Sequence, residues 1–111
     1  MKMILALVLV ALASNFTPTS DDRAWFDDFN HYWLVLGSYA NLMSNSTNDT
    51  ASMAKYFDLL ATDSREAFWS SKKQTVSSEL LKAKTNYELG LSSFQKAGEK
   101  FSRGMFGMIQ K

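Results

Sequence analysis

The chain is expected to fold as an all-α protein, a small antiparallel three-helix bundle behind a cleaved signal peptide. Three observations lead there. Apolar side chains recur at three- and four-residue spacing in three separate stretches of the 111 residues, as in helices that bury one face. Polar, cap-forming residues separate those stretches. There is no cysteine, so the fold must hold by packing rather than by the disulfides many small secreted domains use.

Lys2 precedes an apolar run from Met3 to Ala13, "MILALVLVALA". A helix crossing a ~30 Å hydrocarbon core needs about 20 apolar residues, so this run is too short to span. A basic start, an apolar stretch of about 7 to 15 residues and small residues at its end describe a signal peptide. Ala11 and Ala13 supply the small residues and predict cleavage after Ala13. Residues 1–13 are then the signal peptide, 14–20 an N-terminal arm and 21–111 the bundle, a size that suits one domain with a modest core.

The first helix is expected near 21–43. Thr19 or Ser20 can cap it, and Asp21 and Asp22 sit where the helix dipole favours negative charge. Trp25, Phe29, Tyr32, Leu36, Tyr39 and Met43 follow at spacings of four and three, and Phe26, Trp33 and Ala40 widen the stripe. The second helix is expected near 51–69, capped by Asp49 or Thr50. Asp63-Ser64-Arg65-Glu66 resembles a capping box, which points to a break or kink near Thr62. "SSKKQT" (70–75) is read as the turn into the third helix, near 76–103, capped by Thr75 or Ser77.

The third segment has the strictest pattern. Leu80, Tyr87, Phe94, Phe101 and Met108 fall seven apart, as do Ala83, Gly90, Ala97 and Gly104. Large and small positions interleave as a heptad, which predicts left-handed supercoiling against a neighbour. The aromatic first helix is the expected neighbour, its rings lying over the small stripe. Charge favours the same pairing: residues 14–66 hold eight acids and three bases, residues 67–111 three acids and eight bases. The alternative fold joins the second and third segments into one long helical hairpin that dimerises.

Chemistry is sparse. His31 is the only histidine, and no second histidine or cysteine completes a metal site with it and Asp27. No nucleophile elbow, Gly-rich phosphate loop or metal-spaced cluster occurs. The chain reads as a non-enzyme without metal or cofactor. A near-neutral secreted protein is also a poor candidate for binding nucleic acid.

Asn45-Ser46-Thr47 and Asn48-Asp49-Thr50 match the N-glycosylation signature, and Asn15-Phe16-Thr17 is a third match, weakened by Pro18. The same residues also make an ordinary interhelix turn. Near the C-terminus, Met105, Phe106, Met108 and Ile109 come with two glycines and form a candidate contact patch. The leading functional expectation is a secreted helical interaction protein that binds another extracellular protein, as an effector, signalling, reproductive, salivary or venom-type factor. Fifteen aromatic residues raise the alternative of a carrier for an apolar ligand such as a fatty acid. Lys82, Lys84, Lys96, Lys100 and Arg103 beside the apolar stripe raise a third, action at a membrane surface, with Glu99 and Arg103 spaced to pair.

Overall fold

The structure, a computed structural model, describes residues 17–109, with Phe106, Met108 and Ile109 as backbone only. Three helices account for 86% of it, and no strand occurs among the described residues. They are α1 (Ser20–Ser44), α2 (Thr50–Lys72) and α3 (Ser78–Ile109). The expected all-α bundle is present. The expected signal peptide and residues 14–16 of the arm lie outside the described residues.

Each start is chemically specified. Thr19 caps α1 through a reciprocal box: the Asp22 backbone N–H donates to Thr19 Oγ1 at 3.1 Å, and the Thr19 N–H donates to Asp22 Oδ2 at 3.0 Å. These bonds satisfy amide groups that a helix start leaves without partners. Asp49 caps α2, accepting from the Ser52 N–H at 3.1 Å. The start of α3 is held from outside: the Ser77 N–H and hydroxyl both donate to the Asp22 carboxylate. Asp22 therefore ties two helix entries together across 55 residues of sequence.

That tie corrects the long-hairpin alternative. Residues 73–77 leave the helix, and Ser77 is bonded to α1, so α2 and α3 are separate elements. The turn also lies later than the expected 70–75. The expected break near Thr62 is absent: α2 runs through it, the Thr62 hydroxyl donating back to the Asp58 carbonyl at 3.0 Å. Asp63 is no cap; it accepts from the Tyr39 hydroxyl of α1, and that bond pushes the Tyr39 phenol up to about 12.

Packing order differs from the sequence expectation. The closest partner of α3 is α2, and α1 lies against α2. The reason is the buried face of α2, which consists of Ala54, Ala61, Ser64, Ala67 and Ser71. Small side chains let two helix backbones approach. Gly98 of α3 fits against this seam, where a Cβ would lie 2.7 Å from the Phe57 carbonyl oxygen. The stripe expected to accept a helix does not do so here, since Gly90 and Gly104 have nothing within 4 Å of a Cβ position.

The heptad of α3 explains its own displacement. Leu80 and Tyr87 are buried, whereas Phe94 and Phe101 are 46% and 53% exposed. A seven-residue stripe drifts about 20° per heptad around a straight α-helix. The residues that stay inward are Lys84, Glu88, Leu91, Gly98 and Ser102, one strip facing α2.

The core sits at the end of the bundle near the α2–α3 turn. Trp25, Phe29, Leu36, Ala67, Tyr87 and Leu91 form it. Phe29 and Tyr87 rings lie 4.6 Å apart, and Trp25 meets Tyr87 edge-on at 6.0 Å, arrangements that suit aromatic quadrupoles.

Candidate functional site

Two arrangements stand out: a buried polar network that sets the bundle, and an apolar groove that the bundle leaves open.

The network begins at Trp25, whose Nε1 donates to Ser71 Oγ at 2.9 Å. The Ser71 hydroxyl donates to Glu88 Oε2 at 2.7 Å, which also receives Lys84 Nζ at 2.7 Å. Lys72 of α2 approaches the other carboxylate oxygen at 3.6 Å. One carboxylate thus links all three helices. Burial pushes the Glu88 carboxyl up, but the bonds from Lys84 and Ser71 and the charges of Lys84 and Lys72 outweigh it, leaving its pKa lowered. Asp22 behaves alike: burial raises it, and the bonds from Ser77 and Thr19 bring it below the ordinary value. With every acceptor engaged, these groups specify the register of the helices.

The expected attraction between an acidic α1 and a basic α3 takes another form. No α1–α3 ion pair occurs among the described residues; the cross-helix pair is Lys72–Glu88, between α2 and α3. Asp28 of α1 instead receives neutral donors from α2, Ser70 Oγ at 2.8 Å and Gln74 Nε2 at 3.2 Å. Glu99 does not pair with Arg103: it accepts from Gln95 Nε2 at 3.1 Å, while Arg103 Nε donates to the Glu99 carbonyl. Lys84, counted with the basic face of α3, is buried.

The groove lies between α1 and α3. Because α3 packs on α2 along the small-residue seam, α1 meets α3 mainly through aromatic side chains near Trp25, Phe29 and Tyr87. Farther along, a cavity of about 380 Å³ opens above Ala83 and Gly90, walled by Phe29, Trp33, Tyr87 and Phe94. A second, of about 370 Å³, continues past Leu36, Gly37, Ala40 and Met43, and shares Trp33 and Phe94 with the first. Phe29 and Trp33 stack with an interplanar angle of 5° and form a flat wall. At the first cavity the polar residue is Asn86; the Tyr87 hydroxyl is buried without a hydrogen-bond partner among the described residues. An open trough of this kind favours an apolar partner of matching shape.

The sequence-predicted sites fall elsewhere. Asn45 and Asn48 are exposed on the α1–α2 connection; Asn15 lies outside the described residues. Met105 is half-buried, and the side chains of Phe106, Met108 and Ile109 lie outside the described residues. His31 is exposed, its ring edge-on to Tyr32 at 5.1 Å, with no ion pair to Asp27. No group of three or more potential metal ligands occurs among the described residues, and none of their helices is long and apolar enough to cross a membrane.

The residues that sequence reasoning placed wrongly are Gly90, Phe94 and Trp33, assigned to a packed interface but lining an open one. The signal that could have shown this is in α2. Ala54, Ala61, Ser64, Ala67 and Ser71 mark the helix to which α3 comes closest, and so leave the heptad face of α3 without a full partner. Comparison with protein-family models, with curated proteins and with solved structures gives no match.

Proposed function

We propose that the chain is a secreted, non-enzymatic helical interaction protein, which binds another extracellular protein by taking an apolar helix into the groove between α1 and α3. The observation that carries this reading is the exposure of Phe94 and Phe101, 46% and 53%, beside an open apolar trough. Water-exposed rings of this size rarely line a trough in a monomer without a partner, and helix-in-groove docking is a common use of such a surface. The 380 Å³ volume also supports a second reading, a carrier for a chain-like apolar ligand such as a fatty acid, which a trough of a few hundred Å³ accommodates.

The test is a charge placed in the trough. Phe94→Glu keeps the helical circular dichroism of the wild type, because the ring is 46% exposed within the single chain, and abolishes recovery of a bound protein from the medium in which the chain is secreted. A variant that retains the same bound protein overturns the groove as the docking site. Native mass spectrometry of the purified chain separates the second reading: a co-purifying lipid lost in Phe94→Glu supports a carrier, and its absence removes that reading.

A further inference from the structure

We propose that the groove is filled by α3 of a second copy, running antiparallel, so that the chain assembles as a two-fold symmetric dimer. This rests on the reading of the groove as a helix-docking site and gives that site its occupant; an outside helix would compete for the same trough.

The heptad face of α3 is complementary to itself when reversed. Its large residues Tyr87, Phe94 and Phe101 alternate with small Gly90, Ala97 and Gly104. In a two-fold interface, if one residue meets another across the axis, the reverse contact also forms. With the axis midway between Gln95 and Lys96, Phe94 meets Ala97 of the other copy and Phe101 meets Gly90, each contact formed twice by the symmetry. Every layer then joins one ring to one small residue, as knobs into holes require.

The surroundings match this register. A Cβ at Gly90 would have nothing within 4 Å, and the cavity above it has room for a ring entering between Trp33 and Phe94. Phe101, the ring that would enter, is half-exposed and rests on Phe57 at 5.2 Å, so its position is set before association. Ala97 is exposed and free to receive Phe94. Four consecutive layers therefore use only residues the monomer leaves open.

Neighbouring registers do worse. A shift of one heptad toward the N-terminus places Tyr87, only 9% exposed, as a knob in the middle of the interface. A shift the other way sets Lys100 against Lys100 of the second copy, and like charges face to face oppose association. In the favoured register Lys100 flanks Ser93. Isologous contact also explains why the stripe keeps a strict seven-residue period after it has drifted away from α2: the period serves the interface rather than the monomer's core.

Sedimentation equilibrium of the full chain tests the pairing. The wild-type chain is expected at twice the monomer mass. Gly90→Phe makes the layer ring against ring, and Phe101→Gly makes it small against small; each is expected to sediment as a monomer with its helical circular dichroism intact. The combined Gly90→Phe/Phe101→Gly chain restores a large–small layer and is expected to dimerise again. Ala97→Trp, at an exposed position, gives an independent block at the Phe94 layer and covers the case in which the swap fails to fold. A wild-type monomer at the highest soluble concentration, or a dimer untouched by both Gly90→Phe and Ala97→Trp, overturns the proposal. If the monomeric chain still loses a bound protein on Phe94→Glu, self-pairing alone is wrong; if Phe94→Glu also changes nothing, the groove reading falls with it.

Discussion

Gly98 of α3 lies so close to Phe57 of α2 that a Cβ on the glycine would stand 2.7 Å from the Phe57 carbonyl oxygen and 3.0 Å from the Ala61 side chain. The obstacle is backbone, which cannot swing aside as a long side chain can. This contact marks a close approach of the two helices, and it separates glycines that look alike in sequence.

Gly98→Ala should therefore destabilise the fold by about 1–3 kcal/mol through overpacking, although alanine is the better helix former by about 1 kcal/mol. Gly104→Ala, at an exposed position with nothing within 4 Å, should stabilise by about 0.5–1 kcal/mol. Urea unfolding followed by circular dichroism measures both. Equal midpoints for Gly98→Ala and the wild type would show that α2 and α3 do not approach this closely.

Asp22 and Glu88 give the fold a defined acid limit. Their pKa values are lowered in the folded chain from ordinary values of 3.8 and 4.5. Groups shifted this way contribute stability that is present above the unfolded pKa and lost as pH falls through the folded one. The melting midpoint should stay nearly level from about pH 7 to about pH 5 and drop steeply below about pH 4. Asp22→Asn should remove about 2 kcal/mol near neutrality, since its amide cannot accept from both Ser77 and Thr19 as the carboxylate does. The variant's midpoint should also depend less on pH; a drop as steep as the wild type's would mean that Asp22 is not the titrating tie.

The Lys84–Glu88 pair makes an asymmetric prediction. Removing one partner leaves a buried charge uncompensated, so Glu88→Gln should cost about 3–5 kcal/mol. Replacing both, in Lys84→Met/Glu88→Leu, should recover most of that loss, because two buried charges are exchanged for apolar volume. Ser71→Ala, which removes the acceptor of Trp25 Nε1, should cost about 1–3 kcal/mol. Additive losses in the double variant would show that Lys84 and Glu88 do not act as a unit.

The exposure of Asn45 and Asn48 bears on the secretory reading. A eukaryotic host should release a chain beginning at Ser14 that carries one N-linked glycan on the α1–α2 connection, since two sugars three residues apart crowd each other. Intact mass before and after enzymatic glycan removal measures this. A full-length, unglycosylated chain retained in the cells would mean that "NSTNDT" is only a turn.

The sequence alone determined the three helices and the caps of α1 and α2. Thr19, Asp22 and Asp49 act at positions where short-range backbone chemistry requires them, and three- and four-residue spacing marked Trp25, Phe29 and Leu36 as inward. Local rules suffice there because a helix satisfies its own backbone within four residues. They misled at Asp63, where a plausible capping box is overridden by the Tyr39 hydroxyl arriving from another helix.

Which helix lies against which was decided only in the tertiary structure. The heptad of α3 was visible, yet whether its small stripe is filled depends on where α1 can reach. That depends in turn on how close the Ala/Ser seam of α2 draws α3, a competition between faces that periodicity within one segment does not record. The outcome sends Gly98 into the seam, turns Phe94 and Phe101 toward water, and opens the groove. Asp22 meeting Ser77, and Glu88 gathering Ser71 and Lys72 of α2, are likewise products of three-dimensional proximity, because residues far apart in sequence can share one buried carboxylate only after the helices have packed.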